Sequence, residues 1–203
     1  MKLKTLLLLF YTFNIFGIEY DSVHDATYWF YDEKLESKGW YIGTVRSNLI
    51  YNDKLRFAIA ENNCNQIPSM YFTLSSNKVS EIKRTNQDFN IKNIEGQKIK
   101  FKAFVDEYDP FIIDATINIA DEINSETSIF FIEFDNGMPR NFIKAKKNDP
   151  DSFVDVMMLQ IEEDNWKYSY FDITQIKFRM GGLINVWMHA NQRCLDNSEI
   201  NHD

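Results

Sequence analysis

The middle of the chain alternates between apolar and polar positions. In KIKFKAFVD (98–106), Ile99, Phe101, Ala103 and Val105 share one face and Lys98, Lys100 and Lys102 the other, which is the two-residue period of a half-buried strand. FIIDATINIA (111–120) follows the turn-like EYDP with Phe111, Ile113, Ala115, Ile117 and Ile119 in step, so the two segments read as an antiparallel hairpin. SIFFIEF (128–134) and RNFIKAK (140–146), either side of Asn136-Gly137, read as a second hairpin. GWYIGTVRSNLIY (39–51) and LRFAIA (55–60), flanking Asn52-Asp53, read as a third. FVDVMMLQI (153–161), KYSYFDI (167–173) and IKFRM (176–180) are further extended segments between polar turns.

Helical spacing appears near the end. Leu183, Val186, Trp187, Ala190 and Cys194 form one apolar stripe, and Gly181-Gly182 breaks the preceding strand. Many strands, short turns and one amphipathic helix predict an all-β or mainly β protein. The expected architecture is an antiparallel β-sandwich or barrel-like sheet with one C-terminal α-helix packed on it. Residues 196–203, LDNSEINHD from Leu195 onward, read as a flexible polar tail.

The N-terminus changes the picture of where this domain works. MKLKTLLLLFYTFNIFG (1–17) places two lysines before an apolar run, the pattern of a secretory signal peptide. Thr12 and Asn14 interrupt it before the roughly 20 apolar residues of a membrane span are reached. The reading is an exported, periplasmic or extracellular protein with no stable membrane anchor after cleavage, its single domain running from 18 to 195. The formal net charge of -8 becomes more negative once Lys2 and Lys4 leave with the signal. An acidic surface repels phosphates, so nucleic acid is not an expected partner, and a basic protein partner is favoured.

Cys64 and Cys194 are the two cysteines of the chain. In an oxidising compartment an isolated pair is most simply a disulfide, which would pin the last helix to the first half of the domain. A catalytic thiol would need a base. His189 stands five residues from Cys194, on a different side of the helix.

Other chemistry is weakly marked. DSVHD (21–25) offers Asp21, His24 and Asp25, but no H-E-x-x-H or C-x-x-C spacing supports a metal site, and no metal is expected. No Gly-rich phosphate loop, G-x-S-x-G elbow or dinucleotide fingerprint is present, so no cofactor is expected. The acidic run QIEEDN (160–165) lacks the ligand spacing of a calcium loop. With 30 acidic residues, no pair stands out as the two carboxylates of a hydrolase. FDNGMPR (134–140) is accounted for as a turn, and the lysine face of 98–102 as the solvated side of an edge strand. Trp29, Tyr31, Trp40 and Tyr41 are the candidate binding surface: exposed, they would suit a sugar, a small ligand or a protein. The rival reading is that alternate members of the four fill the core.

LRFAIAENNC (55–64) and FRMGGLINVWMHANQRC (178–194) together resemble small exported bacterial proteins of the invasion-associated locus B kind and the periplasmic accessory proteins of type VI secretion. In those an early strand ends in Cys, and a late strand leads into a helix and a terminal Cys. The resemblance implies a periplasmic β-rich domain with an accessory or interactive role. The expected function is therefore non-enzymatic protein–protein interaction. A small-ligand or carbohydrate-binding module using the aromatics of residues 28–41, and an envelope hydrolase, are the alternatives.

Overall fold

A computed structural model describes residues 29–47, 53–105, 108–140, 156–162 and 170–200. The predicted signal peptide and the Asp21, His24, Asp25 group lie outside the described residues. Among the described residues nine strands follow in chain order: β1 (Phe30–Tyr31), β2 (Trp40–Arg46), β3 (Lys54–Ala60), β4 (Ser69–Ser76), β5 (Lys98–Val105), β6 (Tyr108–Glu122), β7 (Ser128–Phe134), β8 (Val156–Ile161) and β9 (Gln175–Arg179). They form one sheet in the order β1-β2-β3-β4-β7-β6-β5-β8-β9, and every neighbouring pair is antiparallel. The described residues hold two α-helices, α1 (Lys78–Thr85) and α2 (Leu183–Ile200).

The sheet curls. Ser47, one residue beyond β2, bridges Phe178 of β9, so the last strand returns to the far end of the second. The result is a half-barrel whose concave side is the core. Alternation assigns the inward positions: Ile99, Phe101, Ala103 and Val105 of β5, Met157, Leu159 and Ile161 of β8, and Ile176 and Phe178 of β9 are all buried. Phe72 of β4 occupies the centre. Its ring lies 5.1 Å from Phe101, 5.7 Å from Phe134 and 6.3 Å from Phe178, so side chains of four strands meet in one place. Tilted and edge-on ring pairs of this kind add about 0.5–1.5 kcal/mol each beyond the area they bury.

Gly43 is dictated by that interior. It pairs directly with Phe57, whose ring lies across it, and a Cβ there would fall 2.2 Å from Phe57 Cε1. α2 closes the domain by laying Leu183, Ile184, Trp187, Ala190 and Cys194 on the core.

Several sequence expectations need correction. The hairpin predicted for 128–134 and 140–146 falls largely on residues outside those described, and β7 is flanked instead by β4 on one edge and β6 on the other. β5 is interior rather than an edge strand, flanked by β6 and β8. The β6 alternation holds to Ile117. A bulge before Ile119 then turns Ile119 to the outer face and Ala120 inward. In KYSYFDI, the described residues 170–173 are not a strand, and Phe171 instead inserts its ring 4.7 Å from Phe130. Residues 196–200 are not a tail either. They extend α2, held through Asn197 as described below.

Cys64 and Cys194 are joined, with Cα atoms 5.6 Å apart across 130 residues of sequence. In the chain-entropy picture closing such a loop stabilises the fold by about 5 kcal/mol. Urea unfolding of a Cys64→Ser/Cys194→Ser variant is expected to show a loss approaching that figure. A loss under 1 kcal/mol would mean that α2 is seated without its bond. Gly43→Ala is expected to lower stability by about 1–3 kcal/mol through overpacking against Phe57, read in the same assay.

Candidate functional site

The four aromatic candidates separate on folding. Successive residues of a strand face opposite ways, so Trp40 and Tyr41 of β2 part company. Tyr41 is 1% exposed and Trp29 6% exposed, both in the main core, with Trp29 stacked 5.6 Å from Phe57. Trp40 is half-buried on the outer face, against a smaller cluster of Leu35, Ile42, Ala58, Tyr71 and Phe131. Tyr31 is half-buried and sets its ring edge-on to His189 of α2 at 4.9 Å. The four therefore do not make one exposed surface.

Two of them meet again in a polar clasp. Glu36, in the 3-10 turn Glu33–Lys38, accepts a hydrogen bond from Tyr31 Oη at 3.0 Å and one from Asn197 Nδ2 at 3.1 Å. It also pairs with the Arg193 guanidinium. Asn197 Nδ2 donates as well to Tyr41 Oη at 3.0 Å. Burial pushes the Glu36 carboxyl up, but the bonds from Arg193, Asn197 and Tyr31 outweigh it and hold it below the usual carboxylate range. Burial first, and then the bond to Glu36, raises the Tyr31 phenol well above its ordinary value. A carboxylate fully occupied by donors is a poor base, and a phenol so raised stays protonated at neutral pH. The group clamps α2 to the 3-10 turn and assembles no nucleophile.

Lys98 is likewise committed. Its ammonium donates to Asp135 Oδ2 and to Thr116 Oγ1, both at 2.8 Å, and Thr116 Oγ1 donates to Asp135 Oδ1 at 2.6 Å. Burial works against ionisation of Asp135, but the Lys98 and Thr116 bonds prevail and keep its carboxyl below the usual value. The turn predicted at 135–137 thus exists, tied to β5 and β6 rather than to a returning strand. Gly137 has φ +64°, and a Cβ there would fall 2.6 Å from the Pro68 carbonyl oxygen.

Beside this turn lies an open cleft of about 530 Å³. Ile67, Phe111 and Ile112 form its apolar wall, with Asp114, Asn136 and Arg140 at the rim. Ile67 is 54% and Ile112 49% exposed, so two of the most exposed large apolar side chains among the described residues share one cleft. No single strand carries this signal. The cleft forms because Ile67 precedes β4 while Phe111 and Ile112 sit in β6, elements brought together around β7.

A buried acid stands apart from both places. Asp53, 1% exposed, accepts from Ser75 N at 3.2 Å and from Ser75 Oγ at 2.8 Å. Burial pushes its carboxyl up to about 6, more than the Ser75 and Thr73 bonds lower it.

Among the described residues no three His, Cys, Asp or Glu side chains gather as metal ligands. No helix among them is long and apolar enough to cross a membrane. The chain matches no known family model, no curated protein and no solved structure.

The Asp53 carboxyl makes stability depend on pH with a definite sign. Its folded value near 6 lies above the ordinary 3.8, so the folded state binds the proton more tightly. The stability this contributes is complete below about pH 4 and is lost as the pH rises through 6. Asp53→Asn mimics the protonated form. It is expected to match the wild type near pH 4 and to exceed it by up to about 3 kcal/mol at pH 8, in denaturant unfolding across that range. An equal difference at both pH values would remove Asp53 as the titrating group.

Proposed function

We propose that this chain is an exported, periplasmic or extracellular, non-enzymatic domain that acts by binding another protein. The accessory subunit of an envelope or secretion assembly, the host-interaction factor and the inhibitor are the roles of that class. The observation that carries the reading is the cleft of Ile67, Phe111 and Ile112. Exposed apolar side chains gathered in a concave, polar-rimmed place are what protein partners cover. The net charge of -8 adds a preference for a basic partner, steering encounter more than it adds affinity.

The export half of the proposal draws on the disulfide, a bond that persists in oxidising compartments. It joins the same two cysteine-terminated segments on which the resemblance to invasion-associated locus B and type VI secretion accessory proteins rests. The alternative of a carbohydrate module loses its platform, since Trp29 and Tyr41 are core residues. A hydrolase would need paired carboxylates across a cleft, and the carboxylates with altered acidity described above are each engaged elsewhere.

Capture from the envelope and secreted fractions of the source cells tests this. The wild-type chain is expected to retain one protein in stoichiometric amount. Ile112→Glu is expected to lose it while unfolding at the same temperature, since a charge at an exposed position changes stability by about 0.5 kcal/mol or less. Capture of no protein by the wild type would overturn the proposal.

A further inference from the structure

The cleft beside the 135–137 turn is lined by four consecutive residues of β6: Phe111, Ile112, Ile113 and Asp114. Side chains of a strand alternate between its faces, so a hollow on one face would meet every second residue. A hollow that meets four in a row meets the edge of the strand, where the backbone groups point.

That edge is open. β5 runs along one side of β6, from Val105 opposite Tyr108 to Lys98 opposite Thr116. β7 covers the other side only from Glu122 back to Ala115, which faces Phe134, the last residue of β7. The chain then leaves the sheet. Asp135 N donates to Asp114 O at 2.9 Å, Gly137 N to Phe134 O at 3.1 Å and Met138 N to Pro68 O at 3.1 Å. Among the described residues no strand continues β7 beside Phe111, Ile112 and Ile113. Ile117 exchanges bonds with Gly96 and Gln97 on the β5 side, whereas Asp114 accepts from the β7 side. Bonding directions alternate along an antiparallel strand, so Phe111 and Ile113 address β5 and Ile112 turns its N–H and C=O into the cleft.

The shape of the place selects what can meet those groups. Asp109 and Pro110 together oppose Phe104, a bulge that ends the regular edge. Bulges and prolines guard an edge against pairing with another whole sheet. Ile67 and residues 136–140 complete the lining, so the edge lies inside a cleft rather than on an open rim. A second folded copy does not enter such a place, and a single extended chain does. Charge narrows the occupant further. Asp109 and Asp114, both exposed, stand at either end of the open edge, in a chain of formal net charge -8. Opposite-charge pairs across a ladder are stabilising, which favours basic residues in the added chain.

We infer, resting on the protein-binding reading above, that the cleft takes one extended segment of the partner, which adds to β6 as a strand centred on Ile112. The segment places an apolar side chain beside Ile112 and basic side chains towards Asp109 and Asp114. Main-chain bonds supply its affinity, and the alternate side chains supply the choice of sequence.

Random linear peptides displayed on phage, selected against the folded full-length chain, provide the probe, and the tightest is synthesised. Its sequence is expected to alternate apolar and polar residues and to carry lysine or arginine. With the peptide bound, the Ile112 amide is expected to exchange about tenfold more slowly by NMR, while the Phe111 and Ile113 amides, already turned to β5, change little. Ile112→Pro deletes the N–H that faces the cleft and leaves the bonds to β5 in place. It is expected to bind the peptide about tenfold more weakly, the cost of one lost hydrogen bond. Ile112→Val keeps the N–H and is expected to bind within about threefold of the wild type. If Ile112→Pro does not fold, the amide exchange decides alone. An unchanged Ile112 amide, equal affinity of a folded Ile112→Pro, or a selection that yields no peptide overturns strand addition. The protein-binding reading survives those results if Ile112→Glu still loses the captured partner, and it falls separately if the wild type captures none.

Discussion

The structure depends on how Phe72 is surrounded. A flat antiparallel sheet would leave one face of β4 in water. Here the rings of Phe101, Phe134 and Phe178 converge on Phe72 from three other strands, which requires the sheet to curl. The curl brings β9 back to Ser47 at the end of β2. It also makes the concave side too narrow for more than side chains, so large aromatics on β4, β5, β7 and β9 fill it by packing. Gly43 belongs to the same constraint: the Phe57 ring needs the space that a Cβ would take.

Closure by rings leaves the β1–β2 side of the half-barrel to be covered, and α2 covers it. Three kinds of bond hold the helix there. The apolar stripe from Leu183 to Cys194 buries itself. The disulfide ties its second half to the end of β3 through the short turn Glu61–Asn63. The Glu36 clasp fixes its last turns through Arg193 and Asn197. These act on successive parts of one helix, which is why it continues to Ile200 through a sequence that looks too polar to stay folded.

What the sequence made legible follows from period. Strict alternation in 98–105 and helical spacing in 183–194 each report one buried face, and both elements stand where that period put them. The Cys64–Cys194 bond was legible from compartment and count alone. Pairing partners were not, because local turn chemistry at Asn136-Gly137 says only that the chain bends there. That β7 is flanked by β4 and β6 is a long-range outcome, invisible within one segment. α1 was missed because KVSEIKRT buries Val79 and little else, so it carries almost no stripe. The aromatic run 28–41 contained core and surface residues in alternation, and no composition argument could say which face was which.

The same limitation explains why the outer face escaped notice. Register aligns Thr44, Arg56, Tyr71, Glu133, Thr116 and Lys98 in one row across six strands. In sequence these residues are scattered over ninety positions, each an ordinary polar residue beside apolar neighbours. Aligned, they make a polar seam on the convex side of an apolar barrel. At one end Lys98 meets Thr116 and Asp135, and near it Asn118 donates to Glu133 at 2.6 Å, so charge there is answered within the chain. At the other end Arg56 and Thr44 stand beside Arg46 and Lys54. Such a seam is not required by the concave core, which would be equally well served by any small polar outward residues. The period that fixes the core therefore fixes where these outward positions fall and leaves their chemistry open.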